Sequence, residues 1–144
     1  MRTAGRDQRT GHRTVPHTAD LRIEAWAPTL EGCVAELVRA MVAGFADLSD
    51  AAPAGTRMID SAAGDPEGHV LNVLEEVVYL MDTAGELPRD VVVRRTPEGL
   101  RAECAMAGVG DAVLIGAVPK AVSYHELSMT GRDDGWHGSV TLDV

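Results

Sequence analysis

Asp20 and Asp143 are the acids of this chain whose neighbours give them a possible chemistry, the binding of a hard cation. Asp143 closes the run Trp136-His137-Gly138-Ser139-Val140-Thr141-Leu142-Asp143-Val144, in which apolar and polar residues alternate. Strand side chains point to opposite faces in turn, so Val140, Leu142 and Val144 are expected on a core face, and Ser139, Thr141 and Asp143 on the other. Asp143 then stands beside the terminal carboxylate, and a paired strand would hold both oxygen groups still. Calcium-like ions take such ligands when a further carboxylate comes alongside. The candidate for that acid is Asp20, in Pro16-His17-Thr18-Ala19-Asp20, although spacing alone does not bring it to Asp143.

Positioning these groups requires a core, and the sequence marks out its elements. Leu21 to Trp26 alternates as a strand with Leu21, Ile23 and Ala25 inward, which puts Asp20 on the side of Arg22 and Glu24. Thr29 is a candidate N-cap for a helix whose apolar residues run from Leu30 through Cys33, Val34, Leu37, Val38 and Met41 to Phe45 at spacings of three and four. Asp65-Pro66-Glu67 announces a second helix, a cap followed by proline at the first helical position, and Gly85 ends it. A short strand is expected near Arg57 to Asp60. A hairpin follows, with Asp90 to Arg95 and Leu100 to Met106 as strands and Thr96-Pro97-Glu98-Gly99 as the turn. Residues 107 to 118 have no clear period. Lys120 to Met129 alternates again, with Ala121, Ser123, His125, Leu127 and Met129 on one face. The predicted fold class is α+β, an antiparallel-rich sheet with two helices packed on one face.

Composition narrows the function. A chain of 144 residues with 45% hydrophobic content suits one domain with one core. Residues 1 to 14, rich in arginine and poor in apolar side chains, read as a disordered basic tail ahead of a single domain over 15 to 144. A net charge of −9 repels a phosphate backbone, and 3% aromatic content offers few rings for base stacking. DNA binding is excluded on these grounds, and RNA is expected only through a partner. Cys33 and Cys104 fall on apolar faces with no basic neighbours, as small core residues rather than nucleophiles or metal ligands. No apolar run is long enough to cross a membrane, and the amino terminus does not look like a signal peptide, so the cytoplasm is expected.

Four segments in order resemble the archease family: His17-Thr18-Ala19-Asp20, Leu74-Glu75-Glu76-Val77-Val78-Tyr79-Leu80-Met81-Asp82, Lys120-Ala121-Val122-Ser123-Tyr124-His125, and Gly135-Trp136 with Leu142-Asp143-Val144. The resemblance covers residues 15 to 144 and implies a compact fold of strands and two helices of the SHS2 kind. It implies a protein cofactor of an RNA ligase of the RtcB type, not an enzyme. That ligase uses GTP and a divalent metal to join a 3′-phosphate or 2′,3′-cyclic phosphate end to a 5′-hydroxyl end, in tRNA splicing and RNA repair. The archease promotes guanylylation of the ligase and its multiple turnover. A metal, calcium in places, is associated in the family with positions that fall here on Asp20, Asp143 and Val144. Pairing of the first and last strands is likewise taken from the family.

Further functional candidates are Lys120, His17 and His125. Lys120 could neutralise a triphosphate or pair with the carboxylates, against a solvated lysine as the bland alternative. His17 is a ligand or a support to Asp20, or simply structural. His125 has the opposite strand parity from Lys120, so the two share a surface only if a bulge intervenes, and its structural reading stays ahead. The chain departs from the family pattern at Glu75, commonly an amide, and at Glu126, commonly a glycine. A rival reading is a general chaperone or scaffold whose metal only staples the chain end. A stand-alone hydrolase lacks a nucleophile–base arrangement, and Gly108-Val109-Gly110-Asp111 is too short for a phosphate-cradling loop.

Overall fold

The computed structural model describes residues 9–16, 20–62 and 64–144. Its strands are β1 (Gly11–Pro16), β2 (Asp20–Ala27), β3 (Ala46–Asp47), β4 (Pro53–Ser61), β5 (Glu86–Thr96), β6 (Gly99–Gly108), β7 (Val113–Leu114), β8 (Ala121–Arg132) and β9 (Gly135–Asp143). Two helices, α1 (Leu30–Ala43) and α2 (Pro66–Ala84), complete it. The α+β class and the two helices are as the sequence predicts. The antiparallel strands are divided, however, into a four-stranded sheet ordered β1-β2-β9-β8, a three-stranded sheet ordered β4-β6-β5, and the short pair β3-β7.

Both helices start where their caps require. Thr29 Oγ1 accepts from the Gly32 N–H at 3.0 Å and an Asp65 carboxylate oxygen accepts from the Gly68 N–H at 3.0 Å, each satisfying a donor that the first helical turn leaves unpaired. Gly85 ends α2 with φ 65°, a left-handed conformation that glycine adopts at little cost. α1 packs against β2 and β9 of the four-stranded sheet and against β5 of the three-stranded one; α2 packs against β8, β4 and β5. The core therefore lies where the helix pair meets the inner faces of both sheets, and Leu37, Leu74, Val140 and Cys104 are buried in it. Pairing Ile23 with Val140 and Leu21 with Leu142 fixes the β2–β9 register from the core side, since a one-residue slip would turn these side chains to water.

Two expectations need correction, and one expected strand is longer than foreseen. Residues 11–14, assigned to the tail, are part of β1, which pairs along β2 from Gly11 opposite Trp26 to Pro16 opposite Leu21. A polar stretch can serve as an edge strand because its backbone pairs with β2 while His12 reaches Glu36 on α1 at 2.8 Å and Arg13 grips Glu24 at 2.8 Å. The rest of the tail assignment, residues 1–8, lies outside the described residues. The strand near Arg57 to Asp60 is present but longer, running over Pro53–Ser61. The strict alternation over 120–129 fails, because the β8–β9 register jumps from Ser123 opposite Thr141 to Ser128 opposite Ser139. Tyr124 to Leu127 thus face a single residue, Val140, and the odd number of extra residues flips the parity. Val122 and Met129 are both buried as a result, where simple alternation would separate them.

Candidate metal and ligase-facing site

At one end of the four-stranded sheet, Asp20 on β2 stands directly opposite Asp143 on β9, and Ala121 on β8 faces Asp143 from the other side. The Lys120 N–H donates to the Asp143 carbonyl at 2.7 Å, so the start of β8 is tied to the end of β9. Directly opposed residues of an antiparallel pair project from the same face with Cβ atoms about 4.5–5.5 Å apart. Two carboxylates so placed repel one another, and a cation with metal–oxygen distances of about 2.3–2.6 Å can bridge them. The face in question is the one away from the helices, and Asp143 is exposed on it.

Among the described residues, no three His, Cys, Asp or Glu side chains gather into a cage. Ligation would rest on the carboxylates of Asp20 and Asp143 with an oxygen of Val144, a set suited to a hard ion that keeps part of its water shell. Thr141 lies two residues before Asp143 on the same face, opposite Arg22. It is only 6% exposed, yet its Oγ1 has no hydrogen-bond partner, and the Nε of Arg22 is likewise buried and unpartnered. Buried polar groups of this kind are ordinarily completed by water, an ion or a ligand. The Thr141 hydroxyl oxygen suits a hydrated hard cation, whereas the Arg22 guanidinium can only donate and calls for an acceptor such as a carboxylate. Thr141 is the member of this neighbourhood that sequence reasoning did not single out; alternation put it in the row of Asp143 but gave no sign that it is buried.

The other candidates divide. Lys120 is exposed and adjoins Asp143 through its backbone. His125 sits in the β8 bulge, its side chain 85% exposed and its Nε2 3.7 Å from Glu126 Oε1. The structure does not gather it with the two aspartates, since the strand facing the bulge is at Val140 rather than Asp143. His17 lies outside the described residues. Cys33 and Cys104 are fully buried, and burial pushes their thiols up to about 12 and about 11, which keeps them protonated and unreactive at neutral pH. A larger apolar hollow of about 500 Å³ lies between α1, β3 and β5, and none of the candidate residues lines it.

Comparison with known proteins agrees with this architecture. The archease protein family matches residues 12–144. A probable protein archease of Mycobacterium tuberculosis is 47% identical over 135 residues, covering 94% of this chain and 75% of the relative. The protein archease of Archaeoglobus fulgidus is 25% identical, covering 92% and 98%. The solution structure of protein 1598 of Methanobacterium thermoautotrophicum superposes with a TM-score of 0.73 over 93% of this chain and 99% of that one, at 22% identity. The crystal structure of an archease and possible chaperone from Thermotoga maritima does so with a TM-score of 0.66 over 92% and 96%, at 19% identity. No helix among the described residues is long and apolar enough to cross a membrane. With its profile matched over nearly the whole length, its nearly half-identical relative and its shared fold, this chain belongs to the archease family.

Proposed function

We propose that this protein activates an RNA ligase of the RtcB type, promoting its GTP-dependent guanylylation and repeated turnover in tRNA splicing or RNA repair, without catalytic machinery of its own. The observation that carries this is the direct opposition of Asp20 and Asp143 on an open sheet face, at the positions the family resemblance marks. A bound divalent ion would offset negative charge on a nucleotide phosphate. Asp20, Asp143 and Val144 would hold that ion, the paired strands would fix their orientation, and the Lys120 ammonium would supply a second positive group beside it. Calcium suits the oxygen set, and the chain acts on RNA only through the ligase, in the cytoplasm.

The test follows ligation with RNA ends in large excess over ligase, with and without this protein. Stimulation of turnover is expected, and Asp20→Ala and Asp143→Ala should abolish it while remaining folded. Equal turnover with and without the protein overturns the ligase reading, and stimulation unaffected by either substitution removes the acid pair from it.

A second reading, a general chaperone or scaffold, is favoured by one feature. Val113, Leu114 and Ile115 form a consecutive exposed apolar run at 58%, 56% and 61% exposure. On that reading, protection extends to unrelated proteins, survives loss of the acids and is weakened by Leu114→Ser.

A further inference from the structure

The face of the four-stranded sheet that carries the acid pair also carries, toward its other end, a polar groove of about 260 Å³. Its walls are contributed by all four strands, with Arg13 from β1, Trp26 from β2, His137 from β9, and Ser128, Thr130 and Arg132 from β8. The β-ladder sets the rows: Ser128 opposite Ser139, and Thr130 opposite His137, which in turn faces Trp26. No helix among the described residues covers this face.

Its charge balance runs against that of the whole protein, which carries −9. Glu24, the acid in the groove, is neutralised by Arg13, whose Nε and Nη2 donate to Glu24 Oε1 at 3.0 and 2.8 Å. No ion pair of Arg132 is found among the described residues, and Arg132 lines the groove with two hydroxyl-bearing residues of its own strand, Ser128 and Thr130. His137 keeps a loose contact with Asp134, at 3.4 Å. A surplus cation flanked by hydroxyl donors is suited to a phosphoryl group, because guanidinium nitrogens and hydroxyls donate to several of its oxygens at once.

The aromatic wall adds a second element of recognition. The Trp26 indole occupies the space that a Cβ at Gly11 would take, its nearest ring atom 2.6 Å from that position, so the absent side chain of Gly11 lets the ring settle on β1. Indole faces stack on nucleobases, an interaction worth about 1–3 kcal/mol per base and open to every base. The groove is slightly smaller than the roughly 300–1,000 Å³ of pockets that engulf whole small ligands. It has room for a phosphate and a sugar, with the base lying at the Trp26 wall.

We propose that this groove is a nucleotide-phosphate site, in which Arg132, Thr130 and Ser128 take the phosphoryl oxygens and Trp26 receives the base. The inference does not rest on the ligase reading, because it concerns this chain alone. It also differs from the acid pair in ligand sign, an anion rather than a cation.

The full-length protein, without ligase, is titrated with adenosine 5′-monophosphate, adenosine, ribose 5-phosphate and glutamate by calorimetry. In parallel, Trp136→Phe leaves Trp26 as the single indole reporter for fluorescence. Saturable binding of the monophosphate in the millimolar range is expected, with quenching of Trp26. Adenosine and ribose 5-phosphate, each lacking half of the recognised features, should bind about tenfold more weakly. Arg132→Ala should weaken binding by about tenfold or more, whereas Arg94→Ala, on the other sheet, should leave it unchanged. No saturable binding of the monophosphate to the wild-type protein overturns the proposal. So does equal binding by the Arg132→Ala variant, or equal binding of glutamate, which would reassign the groove to acidic peptides.

Discussion

Asp20 faces Asp143 across the β2–β9 ladder, two acids from opposite ends of the sequence held on one side of one sheet. Binding of calcium to the pair would stabilise the folded state, by about 2.7 kcal/mol when the ion is at a hundred times its dissociation constant. Thermal melts with calcium and with a chelator should differ by several degrees in the wild-type protein, and Asp143→Asn should erase the difference. Without the ion, that substitution removes one of two acids that stand opposite each other in the ladder and should leave the melting temperature the same or slightly higher. A calcium shift that persists in both Asp20→Asn and Asp143→Asn places the ion elsewhere.

Glu126, at the centre of the β8 bulge, has φ 63°, the one positive φ recorded for a non-glycine residue among the described residues. An L side chain in that region costs about 1–2 kcal/mol, part of which glycine recovers at the expense of greater freedom when unfolded. Glu126→Gly should therefore be neutral or stabilising by about 0.5 kcal/mol in urea unfolding, and Glu126→Val should destabilise. Destabilisation by the glycine would mean that the Glu126 side chain contributes more than its backbone strain costs.

Beneath the sheet, His12 Nδ1 lies 2.8 Å from Glu36 Oε2, and Arg39 donates to the other carboxylate oxygen at 3.0 Å. The hydrogen bond from His12 holds the Glu36 carboxyl below its ordinary 4.5, with Arg39 adding to the effect and burial opposing it. A folded-state value below the unfolded one stabilises the protein above pH 4.5, and that stability is lost as pH falls through the folded value. Glu36→Gln should cost about 2 kcal/mol at pH 7, by chemical denaturation. The gap to wild type should close in acid; a constant gap from pH 7 to pH 3 would remove the charge from the explanation.

The thiols of Cys33 and Cys104, both 0% exposed and raised to about 12 and about 11, should resist alkylation in the native protein at pH 8 and react only on unfolding. Rapid modification of either under native conditions would show that the core opens locally far more often than its packing implies.

Local features of the chain were legible because they depend on neighbours in sequence. The Thr29 and Asp65 caps, the Gly85 stop and the inward row Val140 and Leu142 follow from hydrogen-bonding capacity and periodicity, and each is found where expected. β1 is not legible in the sequence, because its polar residues carry no periodic signal; an edge strand is stabilised by backbone pairing and by partners such as Glu36 and Glu24 that are remote in sequence. The bulge at Tyr124–Leu127 was hidden for a related reason. Alternation continues through it on paper, and only the requirement that Val122 and Met129 both reach the core breaks the count.

The sequence by itself determined the residue types, the strand parity that puts Asp143 with Thr141 and Asp20 with Arg22, and the family to which those segments belong. The pairing of the Asp20 and Asp143 strands was implied by the family resemblance, but only the tertiary structure decided the register that sets Asp20 opposite Asp143, that Thr141 is buried with its hydroxyl unpaired, and that Arg132, His137 and Trp26 border a common groove. The physical reason is that side-chain direction is a property of the local backbone. Which strands share an edge depends on how the helix pair and the core residues pack as a whole.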